Sequence, residues 1–212
     1  MGELEATGIL ALWNDCAGDR LDTYEGWYAG EHLFERLGIP GVQVGRRYEN
    51  PEISPRFFTY YETATPDVLT SEQYLERVNN PSPLTREIMT SIFLNMSRTI
   101  CKRVEVFGSG HGAYATTARF SALPSADAVE EIAALKECTR LEVWRAADTN
   151  PPPKSAEEKL RGGDTSIEAC LVAHSLRRKD AGRMEAAIRQ LGGSQDTASY
   201  QFLCELRENE VP

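Results

Sequence analysis

The sequence lacks most of the features that mark a membrane-bound, nucleic-acid-binding or secreted protein. None of the apolar runs in its 212 residues reaches the length of about 18 residues that a transmembrane helix needs. The formal net charge of -9 opposes binding to nucleic acid and to anionic membrane surfaces. The first residues have neither the basic start nor the apolar core of a signal peptide. We therefore expect a cytoplasmic protein without a nucleic-acid or membrane partner.

Sequence motifs for cofactors and metals are also scarce. The five cysteines are scattered and odd in number, so they match neither a disulfide framework nor a metal clip, and we expect most to be buried thiols. The three histidines, at positions 32, 111 and 174, are too far apart for a local metal motif. No Rossmann or Walker glycine pattern occurs. The sequence predicts no cofactor and no metal site, and we interpret His111, within the run Gly-Ser-Gly-His-Gly, as part of a hinge.

The order of predicted strands and helices repeats along the chain. With 212 residues, 41% of them hydrophobic, the chain can bury one large core or two small ones. Alternating and helical apolar patterns predict the order β-α-β-β-α-β twice. The predicted strands are 8–15, 41–48, 56–62, 101–107, 114–120, 138–147, 168–176 and 200–207. The predicted helices begin at capping boxes at 22–25 and 70–73 and then cover 85–100, 125–136 and 181–191, the last stopped by Gly192 and Gly193.

Each half of about one hundred residues matches the split βαβ, ferredoxin-like unit. Such a sheet carries helices on one face, so its other face must be covered. We predict an α+β protein in which two tandem ferredoxin-like units (βαββαβ) form a fused, pseudo-dimeric α+β barrel around a cavity. The first unit is 1–110 and the second 111–212, with a mobile polar loop at 148–165.

The residues with proton-transfer chemistry cluster between positions 32 and 62. His32 has a pKa suited to acid and base work, although a histidine on a helix surface is commonly just solvated, and His32 lies off the apolar helix face. Tyr60 and Glu62 share one face of a strand and Tyr61 takes the other. A tyrosine hydroxyl beside a carboxylate suits proton transfer with oxyanion stabilisation, but core packing and an arginine partner explain these residues equally well.

Several side chains are predicted to hold a ligand. Arg46 and Tyr48 share a strand face and Arg47 points oppositely, so one arginine is expected to anchor a carboxylate or phenolate while the other is solvated. The first strand ends at what should be the same rim as Glu62. The predicted ligand-binding residues are Arg46, Arg47, Tyr48, Trp13, Asn14, Asp15, Trp27, Arg86 and His174, of which Trp27 and His174 are also ordinary core residue types.

One stretch resembles a known family. Trp27 and His32 on a helix, the strand 41–48 with its Arg-Arg-Tyr end, and the strand ending in Tyr61 and Glu62 are similar to the EthD-like branch of the dimeric α+β barrel proteins. The resemblance rests on motifs over 8–110 and on architecture alone over 113–207. It implies small aromatic or polyketide-like ligands in the barrel and, frequently, acid–base chemistry without a cofactor. Some fused barrels of this kind bind haem through one histidine, but no local feature here favours it.

These observations support a first functional hypothesis of a cofactor-independent lyase or isomerase. His32 would carry the proton with Glu62, Tyr60 and Tyr61, while Arg46 or Arg47 holds an anionic group. One alternative is a non-catalytic small-molecule binding protein. Another is a cofactor-free monooxygenase. The charged helix surfaces leave a further homodimer open.

Overall fold

A closed antiparallel barrel of eight strands is the centre of the computed structural model, which describes residues 6–149, 153–191 and 196–211. Around the barrel the strand order is β1-β3-β2-β8-β5-β7-β6-β4, and β4 pairs with β1. Both halves have the same internal order, β4-β1-β3-β2 and β8-β5-β7-β6, which confirms the predicted α+β barrel built from two ferredoxin-like sheets. The strands are β1 Gly8–Cys16, β2 Val42–Glu49, β3 Phe57–Thr63, β4 Phe93–Gly108, β5 Tyr114–Phe120, β6 Arg140–Ala146, β7 Ala169–Ser175 and β8 Ala198–Arg207.

Two antiparallel seams join the halves. β2 pairs with β8, with Arg46 opposite Glu205, and β4 pairs with β6, with Lys102 opposite Arg145. Closure satisfies the backbone groups that an isolated four-stranded sheet would expose along its two edges.

Strict side-chain alternation separates an inner from an outer face along the strands. The inner face carries packed aromatic residues: Trp13 and Phe58 stack with ring centroids 5.0 Å apart, and Tyr60 and Trp144 meet edge-on with centroids 5.1 Å apart. These side chains pack the middle of the barrel, so the expectation of one enclosed central cavity is wrong. Space for a ligand lies instead at the barrel ends and outside the sheet.

Helices cover the outer faces of both sheets. They are α1 Leu21–Trp27, α2 Leu33–Leu37, α3 Glu72–Asn79, α4 Pro83–Ser91, α5 Ala126–Ala133, α6 Ala156–Arg161 and α7 Arg178–Arg189. A π-helical turn, Tyr28–His32, joins α1 to α2 without a break in the helix. In the described residues, none of the helices is long and apolar enough to cross a membrane. All five cysteines are free, and Cys101 and Cys170 are the buried pair.

Three predicted helix boundaries differ from the structure. The helix expected at 85–100 ends at Ser91, and β4 begins at Phe93, because apolar residues spaced two and three apart fit a strand as well and β4 pairs with β1. The capping box at 22–25 is absent, since α1 begins at Leu21 without a side-chain cap. The second box is displaced by one residue: Ser71 caps α3 by accepting a hydrogen bond from the Tyr74 amide.

The predicted mobile loop at 148–165 contains an ordered helix over its described part. Within α6, Glu157 is buried and accepts two hydrogen bonds from Arg36 of α2, at 2.5 and 2.6 Å. This buried pair holds α6 against the first helical layer. Residues 150–152, with two of the three prolines, and the predicted helix stop at Gly192 and Gly193 lie outside the described residues.

Candidate functional site

Charged side chains project inward at one end of the barrel, which we name the arginine mouth. They come from four strands and surround an open cavity of about 670 Å³ that His111 and Arg207 also border. Its charged residues on β2, β3, β4 and β6 are Arg46, Glu62, Arg103, Arg140 and Glu142.

These charges form an alternating chain of ion pairs. Arg46 donates to Glu62 and to Glu205, and Arg103 lies 3.0 Å from Glu62. Arg103 Nε also donates to Glu142 at 2.6 Å. Such buried charges persist only because each carboxylate meets a guanidinium group. This chain of ion pairs allows several arginine side chains to lie in the protein interior at the bottom of an open cavity.

Two histidines meet at the inner end of this chain. His174 of β7 is fully buried, and neither of its ring nitrogens has a hydrogen-bond partner. The His111 ring lies edge-on to it, with centroids 4.8 Å apart, and His111 Nε2 lies 3.6 Å from Glu142 Oε1. His111 is 29% exposed, so it stands between the cavity and the buried ring. A buried histidine with two free nitrogens is a strong candidate for proton transfer.

The mouth shifts the pKa of its titratable groups in ways that fix their charge. Burial lowers the pKa of His174 to about 3, only partly offset by Glu142. Burial alone would raise the pKa of Glu142, but His111, Arg103 and Arg140 outweigh it and hold that pKa well below its usual range. Near neutral pH, His174 is therefore neutral and weakly basic, beside a permanent carboxylate.

A close backbone approach positions His111. A Cβ atom on Gly112 would lie 2.1 Å from the carbonyl oxygen of Ser175, so the chain needs glycine where it crosses the end of β7. This crossing sets His111 directly over His174, one residue before Ser175. The segment predicted to be a hinge therefore also places a titratable side chain at the arginine mouth.

Tyrosine hydroxyls line the wall between the mouth and the aromatic interior. Arg46 Nη1 donates to the Tyr60 hydroxyl at 3.2 Å, and the Tyr48 ring stacks on Tyr60 with centroids 6.1 Å apart. The Tyr48 hydroxyl is buried without a partner. Burial raises the pKa of Tyr60 well above its ordinary value and also raises the pKa of Tyr48, so both phenols are neutral donors.

The structure places His32 elsewhere. Its ring packs on Trp27 in the outer helical layer, with centroids 4.0 Å apart, while Glu62 pairs with inward-facing Arg46 at the mouth. The sheet lies between them, so the predicted joint action of His32 and Glu62 is wrong. The strand alternation that sends Glu62 inward also sends Tyr61 into the outer core beside the helices.

The predicted exposure of His32 is also wrong. The side chain is only 5% exposed, whereas Phe34, expected on the buried face, is 36% exposed. The π turn at Tyr28–His32 adds a residue to one turn, which rotates the following side chains relative to a regular helix. Burial, with Arg36 as a lesser cause, lowers the pKa of His32 well below its ordinary value.

Arg47 is buried in the outer layer rather than solvated. It donates to both carboxylate oxygens of Glu25, at 2.7 and 3.0 Å, and its guanidinium carbon lies 3.7 Å from the Tyr28 ring centroid. Trp27 is likewise core, with its indole N–H donating to Thr85 at 2.9 Å. Both residues therefore support the helical layer and do not reach the arginine mouth.

The predicted rim residues of β1 lie at the opposite barrel end. In the antiparallel register Ile9 is opposite Glu62 and Asn14 is opposite Phe57, so Asn14 and Asp15 are remote from the mouth. Asp15 accepts from the Ser54 hydroxyl at 2.6 Å, and Trp13 is inside the aromatic core. The remaining candidate outside the mouth is Arg86, which is exposed on α4.

Sequence reasoning missed the contributions of β4 and β6. Glu142 alternates with apolar neighbours in β6 and shares the inward face with Trp144, whose indole N–H donates to it at 2.9 Å. A charged residue on the buried face of a strand is a signal that could have found this site. No spacing rule links it to His111 or His174, because the three come from separate segments.

The same three residues form a set of metal-ligand type. Their candidate ligand atoms all lie within 4.8 Å of one another. However, Glu142 already accepts from Arg103 and Arg140 at 2.6 Å each, and nearby guanidinium groups oppose a cation. A haem does not fit His32, because Trp27 covers its ring. We therefore interpret the cluster as a proton-transfer site.

Comparisons with known proteins bear on the fold. No protein-family model and no curated protein sequence matches the chain. Among solved structures, an anthrone oxidase-like protein matches with a TM-score of 0.59 at 9% identity, covering 99% of this chain and 96% of that chain. A mutant chlorite dismutase from Candidatus Nitrospira defluvii gives a TM-score of 0.55 at 12% identity, covering 98% of this chain and 94% of that chain.

A monooxygenase-like protein from Fusobacterium nucleatum gives a TM-score of 0.50 at 10% identity, covering 96% of each chain. At such low identity these likenesses concern the fold alone. The full-length matches and the eight-stranded antiparallel barrel agree: this chain has the fold of the dimeric α+β barrel proteins.

Proposed function

We propose that this chain is an enzyme that moves a proton on a small anionic molecule bound in the arginine mouth. The observation that carries the proposal is His174, fully buried beneath an open cavity with both ring nitrogens unpartnered. Its free nitrogens can accept a proton from a substrate, and the neighbouring Glu142 carboxylate stabilises the imidazolium that forms.

The surrounding residues supply the other elements of such a reaction. Arg46 and Arg140 border the cavity and would hold the anionic group of the substrate. Tyr60, held by Arg46, would donate to the oxyanion that develops as a C–H proton leaves. Glu142 orients His111, which would pass the proton between solvent and His174.

Abstraction of a C–H proton next to an anion-stabilising group leads to elimination or isomerisation, and abstraction of a β-hydroxyl proton leads to aldol-type cleavage. We therefore propose a lyase or isomerase acting on small aromatic or polyketide-like compounds, in keeping with the EthD-like resemblance of residues 8–110. No role at this site is proposed for His32.

A second candidate function is oxygenation of the same class of compound. The names of two structural neighbours, an anthrone oxidase-like and a monooxygenase-like protein, favour it. A substrate carbanion formed by His174 would be the species that meets oxygen. Oxygen consumption measured with an electrode separates oxygenation from the lyase or isomerase reaction.

Exchange of substrate C–H protons in D₂O tests the proposal before the net reaction is known. Small aromatic and β-keto carboxylates are incubated with the protein and followed by ¹H NMR for loss of an acidic C–H signal. We expect exchange of at least one compound, slowed about a hundredfold or more by His174→Gln. His32→Gln is the matched control, since it removes the other buried imidazole, and should exchange normally.

Three results would contradict this assignment. If a folded His174→Gln variant exchanged the C–H proton as fast as the parent protein, His174 would not be the proton acceptor. Loss of exchange in His32→Gln alone would move the site to the outer layer. Binding of these anions without exchange of any C–H would favour a non-catalytic binding protein.

A further inference from the structure

A second cavity lies on the outside of the barrel, between α3, α6 and the outer face of β4. Its volume is about 270 Å³, and we name it the Arg98 pocket after the half-buried arginine in its wall. Apolar side chains make up much of the rest of the wall, namely Leu69, Leu75, Val78 and Ile100. The strand separates this pocket from the arginine mouth, because outward Arg98 and Ile100 alternate with inward Cys101 along β4.

The arginines around the pocket are not equally paired. Arg36 pairs with Glu157 at 2.5 Å, and Arg161 pairs with Asp164 at 2.6 Å. Arg98 has no carboxylate within 4.0 Å in the described part of the chain. Buried or half-buried arginines are ordinarily paired, so Arg98 differs from its neighbours in having no direct carboxylate contact.

The guanidinium group of Arg98 is nevertheless held in place. Its Nη2 donates to the Tyr74 hydroxyl at 3.1 Å, and the Tyr74 ring is packed from behind by Arg36, at 5.9 Å from the ring centroid. None of the remaining N–H groups of Arg98 is both buried and unpartnered, so they face open space. A fixed cation beside an apolar wall is the pattern of a site for an amphipathic anion.

We propose that the Arg98 pocket binds a small amphipathic carboxylate. The carboxylate would pair with Arg98 and accept from Tyr74, and the apolar body would lie against Leu75, Val78 and Ile100. Acidic residues also border the pocket: Glu158 is 3.6 Å from Lys154, and Glu168 is exposed. An organic cation is therefore the competing ligand that the experiment must exclude. This site is independent of the reaction proposed for the arginine mouth.

Three probes of one shape separate the alternatives. Phenylacetate, phenylacetamide and phenethylamine carry negative, neutral and positive groups on the same ring. Each is titrated to about 20 mM into the full chain, and methyl resonances of Val78 and Ile100 are followed by NMR, with Val129 and Ile188 of the second half as reference. We expect saturable shifts at Val78 and Ile100 with phenylacetate and much weaker shifts with the other two.

Arg98→Met removes the charge and keeps most of the side-chain stem. It should weaken phenylacetate binding about tenfold to a hundredfold, as expected for loss of a charged hydrogen bond. Arg77→Met is the matched control: it removes the same charge from exposed Arg77 on α3, which pairs with Glu35 at 3.1 Å, and should bind phenylacetate like the parent protein.

Arg98→Met also has a readout that needs no ligand. Arg98 has no carboxylate partner within ion-pair distance in the described residues, so its removal costs only the hydrogen bond to Tyr74 and should lower the melting temperature by no more than a few degrees. A marked fall in melting temperature would show that Arg98 is already compensated and would overturn the proposal. So would equal binding of the amide, preferential binding of the amine, or no saturable shift with phenylacetate.

Discussion

Burial keeps two of the three histidines neutral. His174 lies inside the barrel and His32 lies in the outer helical layer, and burial is the main reason that both pKa values fall. Each imidazole is therefore neutral in the folded protein at pH values where an exposed histidine would be charged. Unfolding exposes both rings to water and returns their pKa values to about 6.5.

Stability should therefore decrease as the pH falls from about 6.5 to 5. In this window the unfolded chain takes up protons that folded His174, with a pKa of about 3, does not bind, so acid favours the unfolded state. Each buried histidine contributes up to about 1.4 kcal/mol per pH unit to the slope. Urea unfolding at several pH values measures it, and His174→Gln and His32→Gln should each reduce the slope. An unchanged slope in both variants would contradict the buried, neutral assignment.

At the scale of single elements, α6 shows how one buried ion pair docks a short helix. α6 has six residues, and its Glu157 reaches Arg36 across the first helical layer, with the Arg36 side chain 4% exposed and that of Glu157 7% exposed. A six-residue helix has little stability of its own, so its tertiary contacts decide whether it forms. The neighbouring Glu158 pairs only with the exposed Lys154 among the described residues, 3.6 Å away.

Glu157→Gln and Glu158→Gln form a matched pair of tests. Glu157→Gln leaves buried Arg36 without a carboxylate and should lower the free energy of unfolding by about 3–5 kcal/mol. Glu158→Gln removes an equal charge one residue away from a solvent-facing pair and should change it by less than about 1 kcal/mol. Denaturant unfolding compares them. Equal, small losses would mean that the Arg36–Glu157 pair does not hold α6.

At the scale of the whole molecule, the two sheets complete each other. The inner aromatic side chains of β1 and β3 face those of β6 and β8, as Phe58 does with Trp144 and Tyr200. The arginine mouth is also shared, since Arg46 and Glu62 come from the first half and Glu142 and His174 from the second. Neither half contains the proposed site alone.

A fragment ending at the proposed unit boundary, residues 1–110, should not be a stable monomer. It would expose the inner aromatic face and the free edges of β2 and β4, which pair with β8 and β6 in the full chain. We expect the fragment to dimerise through these edges or to aggregate, as measured by light scattering after size exclusion, with the full chain run in parallel. A folded, monodisperse monomer would show that the halves are independent domains.

Much of the fold follows from local pattern. Alternation and turn residues predicted all eight strands, and period two correctly assigned Tyr60 and Glu62 to one face and Tyr61 to the other, because a strand must turn successive side chains to opposite sides. Less local features were missed. The helix expected across Ile92 became a strand, since an apolar spacing of that kind fits either element until a partner strand selects one.

The site itself depended on long-range packing. Which end of β1 lies beside Glu62 is set by antiparallel register. The meeting of Glu142 and His174 is set by the pairing of β6 with β7, and His111 reaches them from the segment before β5. Neither the register nor the strand pairing produces a pattern among neighbouring positions in the sequence. Residue periodicity therefore established which side chains point inward, and the pairing of distant strands established which of those side chains meet.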